Sequence, residues 1–529
     1  MNEIIYKKIY GGIENERLHA KVLTQGQPEL SSSRRVTEND DNNKTEGGED
    51  MSLLSFLDRE KSIAEPGYNR WLFPPSALAV HLCIGQVYGI SVFNIPMTKL
   101  IGITEPQKGV DWTIPEIGWI FSIALAVLGI SAAVFGKWVE RSGPRKTMFV
   151  SAVCWSTGFL VSAFGIAIHN IWIVYFGYGV IGGIGLGLGY ISPVSTLMKW
   201  FPDRPGMATG IAIMGFGGGA MVGSPLAVEL MNFFKTPTSM GVWETFVAMG
   251  LIYLVFMLFG AFTARVPAPD WKPEGWEPHA QPKKMVTTAN VTADVAIKTP
   301  QFWLLWIVLC MNVTAGIGVL GQASPMIQEM FLFKKFRDMG LSEQDVTKMA
   351  AAAGGGFAAL LSLFNLVGRF FWSSLSDILG RKTNYMIYLG LGTVLYALIP
   401  TTGQIGSVVL FVVLFGIIMS MYGGGFATIP AYLRDMFGTM QVGAIHGRLL
   451  TAWSTAAVLG PVLVNYIREY QINNGVPKAE AYNVTMYIMA GLLVVGFIAN
   501  YLVKEVSPKY HYAEAPQNTP SGTMQMQRA

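Results

Sequence analysis

The sequence predicts an all-α membrane protein of twelve transmembrane helices in two parallel six-helix halves. Three observations carry that prediction. The chain of 529 residues is 51% hydrophobic and only 14% charged, with a mean hydropathy of +0.39, which is membrane rather than soluble-enzyme composition. Twelve apolar segments follow one another, most of them near the ~20 residues that span hydrocarbon. The two halves of the chain also repeat each other at an almost constant offset.

Residues 1–70 read as a polar, largely disordered tail, with SSSRR and ENDDNNK runs that cannot bury a core. No cleavable signal peptide precedes the first apolar run at Trp71, and Met51 opens a more ordered-looking stretch that is an alternative start. The N-terminal half, 71–262, holds Trp71–Phe93, Pro115–Gly136, Thr147–Ile168, Ile171–Leu197, Met207–Asn232 and Val242–Phe262. A central loop, 263–300, is rich in Pro, Lys and Trp and divides six spans from six. The C-terminal half, 301–503, holds Phe302–Ser324, Met349–Trp372, Tyr385–Thr401, Val408–Leu433, Leu449–Ile467 and Tyr482–Val503, and a polar tail follows over 504–529.

Basic residues set the orientation. Lys137, Arg141, Arg145, Lys146, Lys199, Arg204, Arg265, Lys272, Lys283, Lys284, Arg381 and Lys382 all fall on one side if every segment spans. The positive-inside rule makes that side cytoplasmic, together with both termini, in a multi-pass protein of the cytoplasmic (inner) membrane. One loop dissents: Lys334, Lys335 and Arg337 fall outside, among Glu329, Asp338, Glu343 and Asp345.

The repeat is explicit at one loop. Gly136-Lys-Trp-Val-Glu140-Arg141-Ser-Gly143-Pro-Arg145 recurs as Ser373-Ser-Leu-Ser-Asp377-Ile-Leu-Gly380-Arg381. Acid and glycine keep their spacing (377 − 140 = 380 − 143 = 237), and Phe201 and Pro225 match Phe437 and Pro461 at 236. Six spans return the chain to its starting side, so the halves are parallel repeats, as in twelve-span transporters. The loop has a mechanical use: its acid sits at a helix end, and its basic residues can lock one helix end to the next. Those pairs would break as the protein swings between states. Simple positive-inside charge is the plainer explanation of the basic residues.

The chemistry concentrates at Arg369, within AAGGGFAALLSLFNLVGRFFWSSLSDILGRK (352–382). A guanidinium among apolar helices costs about 3 kcal/mol or more on insertion scales, so it faces a bundle interior or a wet cavity with a partner. Asn365 lies one turn earlier and Ser362 a further turn back, on the same face. Arg369 can take a carboxylate by a forked pair and Asn365 can add an amide donor. The alternative is a helix-end arginine snorkelling to the interface, since Asp377 follows only eight residues later.

Other chemistries find no motif. Cys83, Cys154 and Cys310 lack disulfide or metal spacing. The six histidines form no metal motif, and no P-loop, nucleophile elbow or dinucleotide fingerprint has the right context. The net charge of +4 is spread over loops, leaving no nucleic-acid patch. No cofactor, metal or enzyme activity is expected.

With these features the chain resembles the major facilitator superfamily over nearly all of Trp71–Val503. GLGYISPVSTLMKWFPDRPGMATGIAIMGFGGGAMVGSP (187–225) is similar to the oxalate–formate antiporter family, whose relatives include bacterial and animal monocarboxylate transporters. FNLVGR (364–369) resembles the eighth-helix position where these carriers place the arginine that binds substrate carboxylate. There are two departures. The animal carriers place an aspartate where this chain has Asn365, and bacterial lactate-type carriers are more similar there. The antiporter uses a second cation, a lysine in the eleventh helix, where this chain has Trp453. Two carboxylates on one guanidinium would leave about one unpaired charge in a low-dielectric cavity, at several kcal/mol.

The expected function is therefore secondary active transport of a small monocarboxylate (lactate, pyruvate, formate or acetate). A coupled proton is a candidate partner beside the substrate and the lipid bilayer. The alternatives are an oxalate–formate antiporter and a non-transporting sensor on a carrier fold. Candidate substrate-binding residues are Arg369, Asn365, Tyr190, Phe426, Trp453, Tyr422 and His81. Tyr190 and Phe426 occupy equivalent places in the repeat (426 − 190 = 236). His81 would suit proton carriage, although a hydrogen-bonded bundle histidine is the simpler reading. The candidate gating residues are Gly136, Glu140, Arg141, Gly143, Arg145, Asp377, Gly380 and Arg381.

Overall fold

The computed structural model describes residues 55–277, 285–320 and 322–512. Eleven of its helices are long and apolar enough to cross a membrane. One of them, Ile114–Ala167, runs for 54 residues, about 80 Å of helix and more than twice the thickness of hydrocarbon. It breaks at Gly143, with φ 78° and ψ 170°, so it supplies two spans. The twelve spans among the described residues are α1 (Arg70–Met97), α2 (114–142), α3 (144–167), α4 (Ile171–Trp200), α5 (Pro205–Phe234), α6 (Val242–Thr263), α7 (Pro300–Leu320), α8 (Glu343–Leu379), α9 (Arg381–Ile405), α10 (Val408–Phe437), α11 (Val442–Asn473) and α12 (Asn483–Leu502). This is the expected all-α membrane fold.

Local sequence explains the ends of these helices. Glu116 accepts the backbone N–H of Thr113 at 2.8 Å at the start of α2, and Asn170 accepts Trp172 N–H at 3.1 Å at the start of α4. Ser342 caps α8 and Ser407 caps α10. Gly143 and Gly380 (φ 86°, ψ 148°) occupy a backbone region open essentially to glycine alone. That explains why this glycine recurs in both copies of the repeat: each copy turns the chain sharply from one span into the next.

Between Gly143 and Gly380 runs one face of the bundle, here called the basic face. Residues 55–70 lie on it and correct the expectation of a disordered tail reaching residue 70. Buried Arg145 donates to the carbonyls of Phe56 at 2.7 Å and Lys61 at 3.2 Å, and Arg70 pairs with Asp203 at 2.6 Å. Ala64 N–H meets the Val266 carbonyl at 2.8 Å. Carbonyl acceptors for a buried guanidinium are the physical reason this polar stretch folds. Residues 1–54 and 513–529, and Lys283 and Lys284 of the central loop, lie outside the described residues.

The first six spans meet the last six chiefly through α2 against α11 and α5 against α8 and α10. Thr209 Oγ1 donates to the Ala427 carbonyl at 2.7 Å, and Ser454 Oγ donates to the Ala126 carbonyl at 2.8 Å. A Cβ on Gly136 would lie 2.8 Å from Ala444 Cα, so that glycine lets α2 and α11 touch backbone to backbone.

Candidate functional site

Arg369 lies ten residues before the end of α8, about 15 Å from the basic face by helix rise and so near the middle of a ~30 Å hydrocarbon layer. It is fully buried between α5, α8 and α10, and it does not snorkel. Its Nε donates to Asn365 Oδ1 at 3.0 Å, and Nη1 donates to the Ile213 carbonyl at 3.2 Å. Nη2 has no partner. The guanidinium carbon is 5.3 Å from the centre of the Phe426 ring and 5.7 Å from that of Phe216, within cation–π range. Two glycines admit this packing. A Cβ on Gly217 would lie 2.8 Å from Arg369 Nε, and one on Gly423 would lie 2.3 Å from the Asn365 carbonyl oxygen. Ser362 turns away: its hydroxyl donates to the Ala358 carbonyl of its own helix at 3.1 Å.

Aromatic rings enclose the cation. Trp453 centres 4.5 Å from Phe426, 5.4 Å from Phe216 and 5.3 Å from Tyr190. Tyr88 meets Phe216 at 5.2 Å, and Tyr422 meets Phe426 at 5.3 Å. The Tyr88 and Tyr422 hydroxyls approach to 3.5 Å across the two halves. Tyr88 is the partly exposed ring of this set. Tyr190 Oη and Trp453 Nε1 are buried without partners among the described residues. Arg369 Nη2 and both ring nitrogens of His446 are likewise buried without a partner among the described residues, a costly arrangement unless an acceptor visits.

His81 sits behind Tyr190 rather than against the guanidinium. Its Nδ1 is 2.5 Å from the Ala212 carbonyl and its Nε2 is 3.2 Å from the Tyr190 carbonyl. A neutral imidazole has one N–H to donate, and the shorter contact, to Ala212, links α1 to α5. Sequence reasoning missed three contributors: Tyr88, Phe216 and buried His446, whose ring lies 5.8 Å from Tyr190. Tyr88 falls two helical turns after His81, which is the one signal that pointed to it.

The recurrent loops act at the basic face. Glu140 pairs with Lys199 at 2.7 Å and accepts the Gly443 N–H at 2.9 Å, at the start of α11. Asp377 accepts the Gly206 and Met207 N–H groups, both at 2.9 Å, at the start of α5. Each acid thus caps a helix of the other half, where the N-terminal dipole favours it. Arg381 clamps Asp377 at 2.6 Å and Asp435 at 3.0 Å. Arg145 instead holds residues 55–70, so the two copies of the loop differ in their basic partners. Asp294 of the central loop bridges Lys137 of α2 and Arg448 of α11 at 2.5 and 2.6 Å. Hydrogen bonds from those two cations hold its carboxyl down at about 2. The described contacts close this face over the buried cation.

The family model of the Major Facilitator Superfamily matches residues 77–429 and 348–525. The oxalate:formate antiporter of Oxalobacter formigenes is 24% identical over 393 residues, covering 74% of this chain and 83% of that protein. The apicoplast pyruvate carrier 1 of Toxoplasma gondii is 23% identical over 70% of this chain and 78% of its own length. Monocarboxylate transporter 4 of Rattus norvegicus is 26% identical over 65% and 67%. Among solved structures, the transporter FucP in its outward conformation superposes with a TM-score of 0.55 at 13% identity, covering 82% of this chain and 99% of that one.

Proposed function

The chain belongs to the major facilitator superfamily, and from that premise we propose that it carries a small monocarboxylate such as lactate, pyruvate, formate or acetate across the cytoplasmic membrane by alternating access. One observation carries the reading: the Arg369 guanidinium, buried at mid-depth among aromatic rings, keeps Nη2 without a hydrogen-bond acceptor among the described residues. Arg369 Nη2 takes one carboxylate oxygen. Tyr190 Oη and Trp453 Nε1 are donors for the other oxygen or for a 2-substituent. The Phe426, Phe216 and Trp453 rings suit a methyl or short alkyl group. The two cations of α11 are engaged at its ends, Arg448 by Asp294 and Arg468 by Glu329, which favours a monoanion over a dianion.

Transport follows from which contacts break. The basic face, cytoplasmic in this reading, opens when Glu140 leaves α11 and Asp377 leaves α5. The far side opens when Tyr88 and Tyr422 part. Neither step needs a titrating carboxylate beside the substrate, so exchange of one monocarboxylate for another is the simplest cycle. His81 serves in it as a brace for Tyr190.

The test is counterflow of labelled lactate in proteoliposomes. Arg369→Ala should lower it about a hundredfold, the loss of about 3 kcal/mol of charge-assisted hydrogen bonding, while the protein still elutes as a folded species. Normal counterflow in that variant would refute the site. No counterflow of any short carboxylate by the native chain would instead favour a sensor on a carrier fold.

A further inference from the structure

The basic face holds a pocket beside the Glu140 clasp, apart from the site of Arg369. A cavity of about 560 Å³ opens beside the first recurrent loop, within the size range of small-molecule sites. Its wall carries Arg59, Lys137, Arg141 and Lys199 against one carboxylate, Glu140, an excess of three positive charges (4 − 1). Counting the neighbouring Asp294 and its second partner Arg448 leaves the excess unchanged (5 − 2). The cations are unevenly engaged. Lys199 has Glu140 and Lys137 has Asp294. Among the described residues the one side-chain hydrogen bond of Arg59 reaches the Glu140 carbonyl at a long 3.5 Å, and the Arg141 side chain makes no hydrogen bond or ion pair. The walls come from both halves, α2 and α4 of the first and residues 439–441 between α10 and α11 of the second, and Trp271 of the central loop lines it too.

Four like charges around one cavity repel unless an anion sits among them. A monocarboxylate would neutralise only one of the three excess charges, so the transported substrate is a poor match. Guanidinium forks and ammonium groups match phosphate oxygens through charge-assisted bonds. We propose that this pocket binds an anion carrying two or more phosphate charges, and that the bound anion bridges the two halves, holds the basic face closed and slows transport. The slowing rests on the alternating-access reading above; the binding does not. The phosphates can come from a soluble phosphorylated compound or from a phospholipid that carries two phosphate charges.

The test uses the full chain in phosphatidylcholine nanodiscs. Inorganic pyrophosphate is titrated against sodium chloride of equal ionic strength, and Tm is followed. The expected result is a saturable rise in Tm with pyrophosphate alone, with the midpoint moved about tenfold or more upward in the double variant R59Q/R141Q. In proteoliposomes pyrophosphate should slow lactate counterflow several-fold, and Arg59→Gln should remove that inhibition without changing counterflow in its absence. Stabilisation by added cardiolipin, a lipid with two phosphates, that the double variant loses, with no response to pyrophosphate, would assign the phosphate to lipid. A response no larger than that to chloride, together with none to cardiolipin, would overturn the pocket. Stabilisation with unslowed counterflow would overturn the bridging step. Absence of lactate counterflow with the pyrophosphate response intact would sink the lactate reading and leave the pocket standing.

Discussion

At the scale of single residues the account turns on how a charge is kept at mid-membrane. Arg369 is held by one side-chain acceptor, Asn365, and one backbone acceptor, Ile213, neither of which carries a countercharge. The two glycines that make room for it are therefore as exacting as the arginine. Gly423→Ala would place a methyl group 2.3 Å from the Asn365 carbonyl oxygen, and overpacking of that kind costs about 1–3 kcal/mol. The variant should melt several degrees lower and lose lactate binding, read by Tm with and without lactate. Arg369 and Asn365 were legible in the sequence because a guanidinium in an apolar helix demands an explanation. Tyr88, Phe216 and His446 were not, because an aromatic or small polar ring in a hydrophobic span looks the same whether it packs or lines a site. The third residue on that face, Ser362, was misleading for a local reason: a serine hydroxyl in a helix readily bonds back to the preceding turn.

At the scale of elements, hydropathy located all twelve spans. It did not show that α8 runs 37 residues or that residues 55–70 fold. Those depend on partners distant in sequence, such as Arg145 reaching the Phe56 carbonyl. The loop between α1 and α2 is another such case, outside the spans on the side opposite the basic face. Asp111 accepts N–H groups from Ile101, Gly102 and Gln107 at 2.8, 3.0 and 2.8 Å. Burial pushes its carboxyl up, but the three donors outweigh burial and leave it below the usual carboxylate value. A depressed value stabilises the fold at pH above the ordinary carboxylate pKa of about 4. That stability is lost as pH falls through the lower folded value. Asp111→Asn should therefore lower Tm at pH 7, by the equivalent of about 2 kcal/mol for hydrogen bonds to a charged group. The deficit should shrink as the pH is lowered below about 4; a deficit constant with pH would contradict the assignment.

At the scale of the whole molecule, the duplicated sequence becomes a machine with matched clasps. Glu140 caps α11 and Asp377 caps α5, each acid reaching across to the other half. The repeat in the sequence announced the pair, and the glycines that turn the chain beside each acid explain the fixed spacing. The sequence did not announce that the central loop would join the clasp through Asp294, because its partners Lys137 and Arg448 lie 157 and 154 residues away. Between these clasps and the Tyr88–Tyr422 contact lies one cation, and the account stands on its charge count. Inhibition constants for lactate and oxalate against labelled lactate counterflow, in the native chain and in Trp453→Lys, measure that count most directly. The native chain should favour lactate over oxalate by tenfold or more, and the added ammonium should shift the ratio at least tenfold toward oxalate. Equal affinity for both anions in the native chain, with no shift in the variant, would contradict it.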